Sequence, residues 1–166
     1  MGVQVELYYN YSGDFAASPE SQARCASWYN DGVEIIFACG GAVGNSVMKA
    51  AEASTDKYVI GVDVDQSNLS TTVVNSAMKD LKGQTYKLLE AYYNGSFPGG
   101  ESILADATTD GVSLAMSSNK FKTFNQEMYD ELFGKLKSGE IKVLTDTDVT
   151  APTEIPVTNV TLNYVQ

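Results

Sequence analysis

The 166-residue chain contains no histidine. That removes the commonest general base and the most frequent transition-metal ligand, so any catalytic reading would rest on carboxylates, lysine, tyrosine or cysteine. Only two cysteines occur, Cys25 and Cys39. They are too few for a disulfide scaffold or a zinc site, and are expected to pack inside as small apolar residues. Basic residues are scarce, 11 against 21 acidic, for a net charge of −10. That balance repels phosphate backbones and argues against nucleic acid as a partner. No run of about 20 apolar residues exists to span a membrane. The opening Met1-Gly2-Val3-Gln4-Val5-Glu6 lacks the basic and apolar regions of a signal peptide, and Glu6 breaks the myristoylation pattern. It passes straight into a strand pattern, as a chain cut inside a larger protein would.

What is present is enough for a packed core: 43% hydrophobic residues, with aromatics along the whole length. Val3, Val5, Leu7 and Tyr9 alternate with polar neighbours, which suits a strand. Ser18-Pro19-Glu20 starts a helix, Ser18 as cap, that carries Cys25, Trp28 and Tyr29 and stops near Gly32. Val33 to Cys39 predicts a strand buried on both faces. A glycine-rich turn, Gly40 to Gly44, leads into a short helix bearing Val47, Met48 and Ala51. Tyr58 to Val62 is another buried strand, Thr71 to Met78 a fourth. Asp80 to Asn94 reads as a helix with Leu81, Leu88, Leu89 and Tyr92 on one face. Strands alternating with helices at this spacing predict an α/β fold, a doubly wound parallel sheet.

Beyond Gly95 the pattern changes. A short apolar stretch, Ser102 to Ala105, precedes a polar link from Asp106 to Gly111, and Val112 to Met116 offers one more strand. Thr123-x-x-Gln126 reads as a capping box for a helix carrying Met128, Leu132, Phe133 and Leu136, closed by Gly139. Ile141 to Leu144 is strand-like, Thr145 to Pro156 is loop, and Val160, Leu162 and Tyr164 alternate as a last edge strand.

In open parallel sheets, ligands bind beyond the carboxyl ends of the strands. The informative positions are then Phe15, Phe37 to Gly44, Asp63 to Gln66, and Lys79. Gly40-Gly41-Ala42 fits neither G-x-G-x-x-G nor a phosphate loop. Its plainer reading is a close approach of backbone N–H groups to a neutral polar ligand. Asp63 and Asp65 are open to three readings: paired acids, metal ligands, or turn residues capping local N–H groups. Lys79 reads as a solvated lysine as readily as a functional one. No nucleophile–base pair can be assembled from these positions.

The run Val33 to Asn45 (VEIIFACGGAVGN), followed by Tyr58 to Gln66 (YVIGVDVDQ), resembles the basic-membrane-protein family, the nucleoside-binding lipoproteins of ABC importers. Asn75-Ser76-Ala77-Met78-Lys79, Asp110 to Ala115 (DGVSLA) and Gly139 to Val143 (GEIKV) are similar to further segments of that family. The resemblance covers about residues 2 to 144. Departures are the extra Val43, Ser46 in place of a common glycine, and Cys39 in place of a small residue.

The resemblance implies one lobe of periplasmic-binding-protein type I form and no enzymatic activity, cofactor or metal. It implies that residues 1–109 are the second lobe of a two-lobed receptor. Residues 110–144 would be a crossover segment and helix packed on the absent first lobe, and 145–166 a C-terminal extension. The implied ligand is a purine nucleoside, its base against Phe37 and Phe15, its ribose diol on Asp63, with Lys79 donating and the Gly40-Gly41 turn as a wall. The implied partners are the first lobe and the ABC permease subunits, at an extracytoplasmic location with a lipoprotein anchor outside this chain. The alternative is a ligand-sensing domain of the same fold in a signalling or regulatory protein.

Overall fold

A computed structural model describes residues 3–145 and 147–165. The Met1-Gly2 start, and residues 146 and 166 of the expected extension, lie outside the described residues. The chain runs β1 (Val5–Tyr9), α1 (Pro19–Asn30), β2 (Ile35–Phe37), α2 (Val43–Glu52), β3 (Tyr58–Asp63) and β4 (Val73–Lys79). It continues through α3 (Leu81–Tyr93), β5 (Val112–Leu114), α4 (Gln126–Ser138) and β6 (Val160–Tyr164).

Strands β2, β3, β4 and β5 form one sheet in that order. The β2–β3 pair is parallel across α2, as expected from strands separated by a helix; β3–β4 is also parallel, though joined by the loop 64–72, and β5 runs antiparallel to β4. Strands β1 and β6 make a separate parallel pair. The architecture is the expected α/β one, built on parallel strand pairs with one antiparallel strand at the sheet edge.

Local chemistry accounts for the helix limits. The Ser18 hydroxyl accepts the Ser21 N–H at 3.0 Å, and Pro19 opens α1 where its missing N–H costs nothing. Helices α1 and α2 pack on each other, and α2 packs on β3. Their shared core holds Tyr29, Val47, Met48, Ala51, Val59 and Val73. Tyr29 is 2% exposed, and its hydroxyl donates to the Tyr58 carbonyl at 2.8 Å, so the buried phenol keeps a partner. Burial pushes that phenol above the ordinary tyrosine range.

Several local expectations are corrected. The strand at Val33 to Cys39 shrinks to Ile35–Phe37, an edge strand burying only Ile36, because one flank has no neighbouring strand. Cys25 is buried as expected, but Cys39 is exposed, being past the strand end. Helix α3 forms, capped by Asp80, yet Leu81, Leu88, Leu89 and Tyr92 all stay exposed. The α4 cap is Asn125, whose side chain accepts the Met128 N–H at 3.0 Å, and not the Thr123–Gln126 box. Ile141 to Leu144 forms no strand, since the Ile141 N–H turns back to the Lys135 carbonyl at the end of α4.

The segment after α4 is tied by Asp148. It pairs with Lys142 at 2.9 Å and accepts both the N–H and the hydroxyl of Thr145. The hydrogen bond to Lys142, helped by those from Thr145, holds the Asp148 carboxyl down at about 2. A carboxyl depressed on folding stabilises the turn above its unfolded pKa, about 3.9, and that contribution is lost as pH falls through the folded value. In an NMR acid titration, the Asp148 carboxyl should therefore titrate near pH 2 and the Thr145 amide should move with it. A midpoint near 4 would remove this clamp.

Candidate functional site

The carboxyl ends of β3 and β4 lie side by side, Asp63 in register with Met78 and Lys79 the next residue. Asp63 has φ +68, a left-handed conformation that Asp tolerates better than most residues. Its carboxylate meets Lys79 Nζ at 2.8 Å, with the side chains 41% and 64% exposed. The hydrogen bond and charge of Asp63 hold the Lys79 ammonium above the usual lysine range. An ion pair this open is screened by solvent and contributes little to stability. The pair is therefore better explained by what it faces than by what it holds together.

It faces a cavity of about 650 Å³ beyond the strand ends. The six residues that the resemblance implies for the site all border it: Phe15, Phe37, Gly40, Gly41, Asp63 and Lys79. Phe15 and Phe37 are largely exposed toward open space rather than packed in the core. Gly41 adopts φ +58, and a Cβ added there would touch the Phe15 side chain at 3.4 Å, so this glycine sets how closely Phe15 approaches. The Gly40 N–H, expected to point toward a ligand, is spent inside the turn on the Ala38 carbonyl at 3.1 Å.

Asp65 does not reach this cavity. Its carboxylate accepts the Ser67 N–H and the Ser118 hydroxyl, at 2.9 and 2.6 Å, and the Ser118 bond leads in lowering its pKa. That is the turn role among the three the sequence left open. Among the described residues, no cluster of three or more His, Cys, Asp or Glu side chains is set to hold a metal. No helix among them is long and apolar enough to cross a membrane.

One contributor was missed in the sequence, and a second was named there without its role. The far wall of the cavity comes from α4, through Tyr129, Leu132, Phe133 and Leu136. Their i, i+3, i+4, i+7 spacing was the available signal. Tyr129 and Phe133 stack at 5.4 Å within the helix, and Lys137 meets Asp110 at 2.6 Å in an open ion pair beside it. The second is Gln66. Its side-chain oxygen accepts the Val62 N–H at 3.2 Å, and its own N–H donates to the Ser76 hydroxyl at 3.0 Å. These bonds lock the turn that presents Asp63.

A family model described as "ABC transporter substrate-binding protein PnrA-like" matches residues 1–146. Basic membrane protein D of Borreliella burgdorferi is 34% identical over 140 residues, covering 82% of this chain and 40% of that protein. The ABC transporter nucleoside-binding protein BmpA of Lactococcus lactis is 27% identical over 131 residues, 69% of this chain and 37% of that protein. The chain thus spans about 40% of the length of the curated relatives it matches. Among solved structures, an ABC transporter solute-binding protein of Aeropyrum pernix superposes with a TM-score of 0.62 at 20% identity, over 81% of this chain and 46% of that one. A transcriptional activator of the comK gene from Bacillus halodurans gives 0.59 at 18% identity, over 77% and 44%. The solved structures share the fold, and the family model and the Borreliella relative show that the chain belongs to the PnrA-like family of ABC transporter substrate-binding proteins.

Proposed function

We propose that this chain is the ligand-binding second lobe of an extracytoplasmic ABC-importer receptor, and that its ligand is a purine nucleoside. The observation that carries the reading is the meeting of aromatic faces and one open carboxylate–ammonium pair at a single cavity. A nucleoside presents a flat base and a vicinal ribose diol. Phe15 and Phe37 offer faces to the base, while Asp63 accepts from the two hydroxyls and Lys79 donates. The Gly40-Gly41 turn forms the near wall. The lobe is residues 1–109, the crossover that would meet the first lobe is 110–144, and 145–166 is an extension. The whole receptor would close on its ligand by hinge motion and deliver it to permease subunits, held to the membrane by a lipid anchor outside this chain.

The test is saturation-transfer NMR of this chain with adenosine, guanosine and their 2′-deoxy analogues. Ribonucleosides should bind weakly, on the order of 0.1–1 mM, because half of a two-lobed cleft is absent. The deoxy analogues should bind more weakly still. No transfer to any nucleoside, with a non-nucleoside compound copurifying instead, would overturn the ligand class. The second reading, a ligand-sensing domain of a regulator, is favoured by the fold likeness to the Bacillus halodurans activator. A DNA-binding or kinase module encoded next to this segment would decide for it, and a lipobox cysteine for the receptor.

A further inference from the structure

The last strand lies beyond the residues that the family model matches. It nevertheless ends against the loop that carries Phe15. Strand β6 follows β1 residue for residue, closing with Tyr9 opposite Tyr164. The Val165 N–H then donates to the Tyr9 carbonyl at 2.9 Å, and the Asn10 side-chain amide donates to the Val165 carbonyl at 2.7 Å. Arg24 completes the junction by donating to the Asn10 side-chain oxygen at 2.7 Å. The Tyr164 ring sits 5.1 Å from that of Tyr9 and 6.3 Å from that of Tyr11.

From this junction the chain runs directly to the cavity. The Ser12 hydroxyl donates to the Asp14 carbonyl at 2.8 Å, and the Asp14 carboxylate accepts the Ala16 N–H at 3.0 Å. These bonds are internal to the loop and shape it without fixing it to the body. At the far end, Ser18 exchanges two hydrogen bonds with the Ser46 hydroxyl, both 3.0 Å, which ties the loop to α2. Phe15 is therefore suspended between two anchors: the Ser18–Ser46 bonds to α2 at one end, and at the other the Asn10 junction, where the tail meets Arg24 of α1.

We infer that Tyr164 and Val165 are positioning residues for the Phe15 loop, so that the tail sets how well the aromatic wall of the ligand site is formed before ligand arrives. The ligand part of this inference rests on the nucleoside reading above. A wall held in place binds more tightly than one ordered on contact, because the ordering cost is already met. A tail that only gave β1 a partner would alter global stability and leave the loop and its ligand contact unchanged.

The experiment compares Tyr164→Ala, Asn10→Ala and Tyr164→Phe in the full chain. Hydrogen exchange of residues 10–16 should accelerate roughly tenfold in the two alanine variants, with Tyr58–Asp63 unchanged. Adenosine affinity by saturation transfer should fall about fivefold in the same two variants. Tyr164→Phe keeps the ring packing and should match the native chain in both readouts. Unchanged loop exchange in Tyr164→Ala would overturn the inference, whatever happens to the unfolding midpoint. Faster exchange with undiminished adenosine affinity would overturn the link to the ligand site. If the native chain takes no adenosine at millimolar concentration, it is the nucleoside reading that falls, and the exchange arm still decides whether the tail holds the loop.

Discussion

Replacing Asp63 with Ala should lower ribonucleoside affinity of the two-lobed receptor by two to four decades. A carboxylate that accepts both hydroxyls of a vicinal diol makes two hydrogen bonds to a charged group, each about 1.5–3 kcal/mol, so about 3–6 kcal/mol is at stake. The free protein already has Lys79 on that carboxylate at 2.8 Å. The ammonium occupies part of the acceptor capacity without blocking the rest, since one carboxylate has about four lone-pair sites. Lys79 is open to solvent and loses little when its partner is removed, so any fall in the unfolding midpoint should come from seating an alanine at φ +68, where Asp is better tolerated. Calorimetry of native and Asp63→Ala receptor against adenosine and 2′-deoxyadenosine separates the two bonds. The deoxy compound should bind the native protein worse yet lose less from the substitution. Adenosine binding within threefold of native in the variant would remove Asp63 from the ligand site.

The second large effect is on stability, at a residue without a side chain. A Cβ on Gly61 would lie 2.5 Å from the Gln66 side-chain oxygen, 2.8 Å from the Ser76 hydroxyl and 3.0 Å from the Gln66 Cβ. Ser76 is fully buried, and Gln66 is held by its two hydrogen bonds, so neither gives way freely. Gly61→Ala should cost about 2–3 kcal/mol, from overpacking together with one strained or lost hydrogen bond. For a chain of this size that lowers the thermal midpoint by roughly 5–10 °C. Pairing it with Gln66→Ala removes the tightest of the three contacts and leaves those to Ser76 and to the Cβ of residue 66, so the double variant should be less destabilised than the sum of the singles. Strict additivity would mean that Gln66 is not what the glycine makes room for.

This contact also explains what was legible in the sequence. The string from Tyr58 to Gln66 was singled out as a motif, and its glycine and glutamine turn out to be one interlocked unit. The strand–helix alternation, the Ser18 cap and the Gly139 stop were readable because each is decided within a few residues. Asp63 and Lys79 were readable as strand-end residues, but not as partners, because their meeting depends on the register of β3 against β4. Other misreadings share that cause. Ile35 and Phe37 have the composition of a two-sided buried strand, yet β2 ends up at the sheet edge. Val112 to Leu114 was legible as a strand and illegible as an antiparallel one. Ile141 to Leu144 had strand composition and no neighbour to pair with. Thr123 and Asn125 are both competent caps, and only the entry path of the backbone chooses between them.

The pairing of β1 with β6 carries one more consequence, in the order of events as the chain folds. The Gln4–Asn159 and Asn10–Val165 contacts each join residues 155 apart in sequence. The β2–β3 and β3–β4 pairs, in contrast, close over one helix or one loop. Loop-closure entropy rises with the length enclosed, and contacts of high separation become favourable only once the intervening chain is compact. The three-strand parallel core with α1 and α2 can therefore assemble while the tail is still searching. The last zip, Tyr164 onto Tyr9 and Tyr11, should come after the sheet exists and be the first to open on warming, which hydrogen exchange of β1 against β3 would read.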